Sequence, residues 1–573
     1  MVVCLWAAVL LRWTSENGYP LTQGPVRKPR AICHLVALKT LDDPPSFVPG
    51  RRRKAGRTSV GGWKLRFRVF ASRLLRLGVV ALSSSGSAIH AGDGHRTATT
   101  AVKSNAAQKV DWAPVVSGRL PNGVRYGILP RQGDEPGIGL LLRNEGGFIE
   151  EQRPGERGLT HLIEHLVFVS PTLNAPNDLH YLPKIGLPLT FPAPSAGTTS
   201  WRETNYFVST KTTRTADLDT LLRLFREVAT DLTFRSDAVD DQRADVMREM
   251  AGRKPGNVIY ADYIADVAPG SPTDVIDGQN SDDVPTASVE TIRALYRRLY
   301  RPENMVVVIV GNVDPTTAKA LITQRFGSWK SIGSPVVHVP VPRLRYDRIA
   351  PISFSALPQG RRTALITVAM PTLSSRGPKR SQMNAELMDR LAIRAVNNRL
   401  ARAQPGSPSG KVGMFIENGE QGHRLIMLWD NFTGDAWQPA LVALKRTVCG
   451  LGTAGFSADE WYRARRDLMQ ELEQITGDMG HAKNVELAKD LSHAIAADKE
   501  LIAPSALLRR ARIWLPTIDA STGSAWWRRQ WQSGHEHVRV EAPELARVVD
   551  PRQAIRTALD AASLRAACRP LRH

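Results

Sequence analysis

Gly158-Leu159-Thr160-His161-Leu162-Ile163-Glu164-His165-Leu166-Val167-Phe168 sets two histidines and a glutamate on an otherwise apolar segment. Residues four apart share one face of a helix, so His161 and His165 can point at the same place in space. Two imidazoles at that spacing suit tetrahedral zinc, and Glu164 beside them is a carboxylate able to take a proton from a water bound there. The order H-x-x-E-H is the reverse of the commoner H-E-x-x-H. The competing reading is an amphipathic helix whose histidines merely border a core. Leu162, Ile163, Leu166, Val167 and Phe168 make the segment well buried under either reading. Buried imidazoles flanking a buried glutamate need partners, and a metal ion supplies them.

At 573 residues the chain is long enough for two or three domains, and 42% hydrophobic with 23% charged residues is an ordinary globular balance. No run of 18 apolar residues occurs, so no membrane span is expected. The formal charge of +21 invites a nucleic-acid reading, but residues 1–91 carry 15 Lys and Arg against 3 Asp and Glu. Beyond them basic residues are scattered without aromatic interleaving, and no nucleic-acid partner is expected. The four cysteines (Cys4, Cys33, Cys449, Cys568) include no CxxC pair, which supports neither a cysteine zinc site nor a disulfide framework.

Residues 1–65 show no helical or strand periodicity and include Arg51-Arg-Arg-Lys54. From residue 66 a basic stretch (Arg66, Arg68, Arg73, Arg76) precedes apolar Leu77-Gly-Val-Val-Ala-Leu82 and a small-residue stretch ending at Ala91. That is the layout of a signal peptide over about 66–91, implying translation from near residues 65–70 and a periplasmic or secreted, bacterial location. The alternative is a disordered basic tail. Residues 92–110 are polar and read as a flexible lead-in.

The remainder reads as α+β. Asn122-Gly123 between strand-like runs predicts a hairpin, and Ile138–Arg143 a buried strand. Strands at Glu203–Ser209 and Val306–Val310 follow the motif, with helices predicted at Asp217–Leu232, about Asp237–Arg253, Ser288–Arg298 and Thr317–Phe326. A Pro- and Val-rich linker at Ser334–Arg343 then leads into a second succession. Its predicted strands are Ala364–Ala369, Met414–Glu417 and His423–Trp429, and its helices Gln382–Ala403, Asp435–Cys449 and Ala458–Ile475. A shift of 222 positions lays Phe234 on Phe456, Arg243 on Arg465, Asp245 on Asp467, Met247 on Met469 and Glu249 on Glu471. The expected fold is therefore two tandem homologous α/β units, each a mixed or antiparallel sheet packed with helices. The first spans 111–333 and carries the metal motif; a linker occupies 334–345; the second, at 346–565, has no H-x-x-E-H and is inactive.

These features together resemble the pitrilysin/insulinase family of zinc peptidases, the inverzincins, which include the mitochondrial processing peptidases. The resemblance covers roughly residues 112–560. It rests on the 158–168 motif, on Thr204-Asn-Tyr-Phe207, on Arg243-Ala-Asp-Val-Met-Arg-Glu249-Met, and on Tyr300-Arg-Pro-Glu-Asn-Met305 through Asp314. It implies one zinc ion per chain, held by His161, His165 and Glu249, with Glu164 as the general base activating a zinc-bound water for peptide hydrolysis. Asp245 and Glu227 are the alternatives to Glu249. Two positions depart from the family pattern: Gln242 stands where a second glutamate is usual, and Ser195 where an asparagine of the substrate-binding edge strand is expected. Family members are clamshells of two halves, each built from two such units, so the resemblance makes this chain one half, acting on extended oligopeptides as a homodimer or with a second half-size subunit. The alternative it leaves is a catalytically weak or inactive scaffold subunit beside an active half.

Overall fold

The computed structural model describes residues 112–170, 172, 197–252, 266–267, 281–334, 337–340, 344–357, 361–371, 379–403, 412–418 and 423–565. The expected signal peptide at 66–91, the lead-in at 92–110 and Ser195 lie outside the described residues. Among those described, no helix is long and apolar enough to cross a membrane.

The first sheet contains β1 (Val116–Arg119), β2 (Arg125–Pro130), β3 (Ile138–Asn144), β4 (Gly197–Thr199), β5 (Thr204–Thr210) and β6 (Met305–Gly311), in the order β1-β2-β6-β3-β5-β4. The pairing is antiparallel except between β2 and β6. The hairpin predicted at Asn122-Gly123 joins β1 to β2, and the Asn122 amide donates to the carbonyls of Phe326 and Trp329 at 2.7 and 2.9 Å. Helices α1 (Leu159–Val169), α2 (Thr215–Val228), α3 (Ser236–Gly252), α4 (Val289–Leu299) and α5 (Pro315–Phe326) belong to this half. Strand alternation divides β6 between two cores. Val307 and Ile309 join the helix-side core with Leu162 and Leu166 of α1, while Val306, Val308 and Val310 face the other way. Because both faces are covered, every residue of β6 is buried.

The second sheet repeats the plan one strand shorter. It holds β7 (Ile352–Ser355), β8 (Thr363–Pro371), β9 (Val412–Asn418), β10 (His423–Asp430) and β11 (His535–Glu541), in the order β7-β11-β8-β10-β9, with β7 and β11 the parallel pair. Its helices are α6 (Lys379–Ala403), α7 (Trp437–Thr453), α8 (Ala458–Gly477), α9 (Asn484–Ala496), α10 (Pro504–Trp514), α11 (Ala520–Ser533) and α12 (Pro551–Arg565). The mixed α/β architecture with an internal repeat is thus as expected, and α3 and α8 begin 222 residues apart. Cys449 is buried on α7.

Helix α9 does not cover its own sheet. Val485, Leu487, Ala488 and Leu491 lie on the outer face of the first sheet against Leu129, Leu141, Phe207 and Val308. In return Val267, from the first half, packs with Ala369, Leu425 and Met427 of the second sheet. The 222-residue shift places Val267 on Lys489 within α9, so corresponding segments of the two units are exchanged. Arg131, at 7% exposure, anchors the exchange: its guanidinium donates to the carbonyls of Met479 (2.8 Å), Gly480 (3.2 Å) and Ala482 (2.8 Å) just before α9. Replacing Arg131 with Ala leaves these carbonyls without that donor, so a loss of about 2–3 kcal/mol is expected in urea unfolding. Hydrogen exchange should rise first in α9.

Candidate metal centre

Helix α1 begins at an abrupt turn. Gly158 has φ +86°, a left-handed conformation that favours glycine, and it precedes the first helical residue. The exposed backbone donors of this end are met by Glu151: Oε2 accepts from the Gly158 N–H at 2.8 Å, and Oε1 from the N–H and hydroxyl of Thr160 at 2.8 and 2.5 Å. The helix is then packed by Leu159, Leu162, Ile163 and Leu166, all fully buried. That packing leaves His161, His165 and Glu164 at the boundary with α3 and β4.

His161 and His165 lie with ring centroids 4.9 Å apart, nearly perpendicular. The third group arrives from α3, where Val239 and Val246 are buried and Gln242 and Glu249, two turns apart, lie on one side. Glu249 Oε2 is 3.6 Å from His161 Nε2 and 3.4 Å from His165 Nε2. One ligand atom from each of the three residues falls within 4.8 Å of the others. Ligands placed tetrahedrally on zinc at bond lengths of about 2.0–2.1 Å stand about 3.3 Å apart, so two nitrogens and a carboxylate oxygen at these separations fit such an ion.

Gln242 takes a direct part. With its proton on Nδ1, His165 donates to Gln242 Oε1 at 3.1 Å, which turns the lone pair of Nε2 toward Glu249. The amide keeps the hydrogen bond that a glutamate would accept there but not the negative charge. Burial works to lower the His165 pKa, yet Glu249 and Glu164, helped by Gln242, outweigh it and the net shift is upward. Positive charge is therefore favoured at this spot. His161 Nδ1 is buried and has no hydrogen-bond partner among the described residues.

Glu164 is 8% exposed. Burial pushes its carboxyl up, countered by His161 and by the Thr199 hydroxyl, which donates to Glu164 Oε2 at 2.7 Å. Behind it the hydroxyls of Tyr206 and Tyr300 share a short hydrogen bond, and Phe168 packs edge-on against Tyr206. Desolvation raises the pKa of both phenols. The two alternatives to Glu249 are engaged elsewhere. Asp245 pairs with Arg248 at 2.6 Å, and buried Glu227 pairs with Arg223 and accepts from Thr172. Glu151 carried no sequence signal; Thr199 lies in the segment that the resemblance aligns with the substrate-binding edge strand, but its contact with Glu164, 35 residues away in sequence, was not foreseen.

In the second unit Glu471, the counterpart of Glu249, is bound by Arg394, with Arg390 at 4.0 Å. Those arginines are four apart on α6, the spacing that the histidines have on α1. Two guanidinium groups thus occupy the face that two imidazoles occupy in the first unit.

A sheet-and-helix unit repeated in tandem, with the two-histidine helix in the first copy alone, is the half-unit architecture of insulinase-like proteins. Two segments of the chain match models of the pitrilysin/insulinase-like family. Residues 145–254 match the family model described as insulinase (peptidase family M16), and residues 286–385 match the peptidase M16 inactive domain. Among curated relatives, the probable zinc protease PqqL of Escherichia coli is 28% identical over 216 residues, covering 36% of this chain and 22% of the relative. The zinc protease PqqE of Helicobacter pylori is 25% identical over 216 residues, covering 35% and 47%. The solved structure of the periplasmic protease PqqL from Escherichia coli superposes with a TM-score of 0.66 at 18% identity, over 80% of this chain and 51% of that one. The first half of PqqL alone also gives 0.66 at 18% identity, over 81% and 98%. The chain therefore spans about half the length of the PqqL structure, and these structural likenesses establish the fold.

Glu151→Ala removes the acceptor for three donors at the start of α1. A destabilisation of about 2–3 kcal/mol is expected by denaturant titration, in contrast to a near-neutral substitution at exposed Asp240.

Proposed function

We propose that the chain is a zinc-dependent endopeptidase half that hydrolyses peptide bonds of oligopeptides or unfolded segments. The observation that carries this reading is the convergence of His161 Nε2, His165 Nε2 and Glu249 Oε2 beside a buried glutamate and an edge strand. The three residues would hold one zinc ion, which when bound polarises the peptide carbonyl and makes an attacking water more acidic. Glu164 takes the proton from that water as general base and returns it to the leaving amine. Its burial suits both roles, since it keeps the carboxyl's proton affinity above that of an exposed glutamate. Strand β4 pairs with β5 on one side and has no strand on its other side among the described residues, so an extended peptide can add there through main-chain hydrogen bonds.

On this reading residues 111–333 form the metal-bearing unit and 346–565 the unit without a metal. The match to one half of PqqL supports assembly with a second half, from a second copy or another chain, to close a clamshell over the peptide. The relative with the solved structure is a periplasmic protease, which supports export. The alternative of a weakly active scaffold subunit is favoured by one feature, the replacement of a usual carboxylate by Gln242 behind His165.

The test measures zinc content, solution mass and cleavage of a peptide panel on the purified mature chain. Glu164→Gln is expected to keep its zinc while cleavage falls by about 10²–10⁴-fold. Glu249→Gln should lose both. Hydrolysis undiminished in Glu164→Gln would refute the assignment, and stoichiometric zinc without cleavage by the wild type would favour the scaffold reading.

A further inference from the structure

We infer that edge strand β4 is the positioning element for Glu164, through the Thr199 hydroxyl on one carboxylate oxygen and the bare Cα of Gly197 beside the other. This rests on the reading of Glu164 as general base and extends it to residues that the motif does not contain.

Side chains alternate along a strand, so Gly197 and Thr199 face α1 while Thr198 faces the opposite way, where Asn205 Nδ2 donates to its hydroxyl at 3.4 Å. On the α1 side Thr199 Oγ1 donates to Glu164 Oε2 at 2.7 Å, and among the described residues this is the hydrogen bond that Glu164 receives. A glutamate side chain has three torsions, and the last is broad, so the carboxylate plane is not set by the helix backbone alone. The Thr199 hydroxyl supplies the missing constraint.

Gly197 sets the other limit. A Cβ at this position would stand 2.6 Å from Glu164 Oε1 and 2.9 Å from its Cγ, so any side chain there must displace the glutamate. The strand that offers its open edge to an extended peptide is therefore the strand that grips the base. Gly197 and Thr199 are also tied to β5 in fixed register, opposite Tyr206 and Thr204. A peptide laid along β4 is placed relative to the Glu164 carboxylate by one short segment, with no intervening loop. Such a shared reference matters because displacing a reacting group by about 1 Å can cost on the order of a hundredfold in rate.

The test compares high-resolution structures and kinetics of the full mature chain as wild type, Thr199→Val and Thr199→Ser. Valine preserves the branched shape and strand preference and removes the hydroxyl; serine restores it. The expected result is a Glu164 carboxylate displaced by about 1 Å in Thr199→Val and returned in Thr199→Ser, with kcat lowered roughly ten- to a hundredfold in the former and KM unchanged. Zinc content should be equal in all three. Gly197→Ala, which leaves the hydroxyl in place, should displace the same carboxylate and serves if Thr199→Val does not fold. A carboxylate unmoved in both variants overturns the inference, as does a displaced carboxylate with unaltered kcat. If the wild type cleaves no peptide, the peptidase reading fails, and the position of Glu164 in the variants still decides for or against the clamp.

Discussion

Two imidazoles and a carboxylate within five consecutive residues of a buried helix are a costly arrangement, and much of the first unit is arranged to satisfy them. Glu249 comes from α3 to face both Nε2 atoms, and Gln242 on the same helix orients His165 through Nδ1. Thr199 comes from the edge strand to meet Glu164, and Glu151 satisfies the backbone at the helix start. Each partner belongs to a different element, so the site exists only when α1, α3 and β4 are assembled. The packing of α1 against β3 and β6 performs that assembly, since Leu162 and Leu166 share one core with Leu140, Leu142, Val307 and Ile309.

The second unit shows the same geometry with other chemistry. Arg390 and Arg394 face Glu471 from α6, and Asn398 donates to Asp467 at 3.2 Å. A guanidinium is a permanent cation, so it neutralises the glutamate without any need for an added ion. In both copies a glutamate faces two basic side chains four apart on the neighbouring helix, imidazoles in the first and guanidinium groups in the second. This explains why a glutamate at the repeated position says little about chemistry by itself; the residues four apart on the facing helix decide its role.

The exchange of α9 and Val267 between the units has a structural consequence. The outer face of the first sheet carries Leu129, Leu141, Phe207 and Val308, and its cover comes from a helix more than 150 residues further along the chain. Arg131 holds that cover through three carbonyls. The sheet that presents β4 is thus completed by the unit without the metal motif, which gives that unit a role in the fold of the site.

The local order of the chain determined a good deal. The 3.6-residue period of an apolar helix with histidines four apart, the Asn-Gly turn, the valine-rich strand and the 222-residue repeat all depend on neighbours in sequence, and each is reproduced in the fold. Glu249 was drawn from a resemblance, with Asp245 and Glu227 as alternatives, because nothing local separates three acids on two helices. Tertiary structure separated them: Glu249 faces the imidazoles, while Arg248 engages Asp245 and Arg223 engages Glu227. Strand β4 was placed by the resemblance alone, and the strands at β7 and β11 and the helices beyond residue 477 escaped periodicity analysis, being short or having their burial set by another unit. The roles of Thr199, Glu151 and Arg131 were likewise decided only in three dimensions. The physical reason is common to all of them. A hydroxyl, a carboxylate or a guanidinium has no periodic signature, and its role is set by the groups that the fold places within bonding distance.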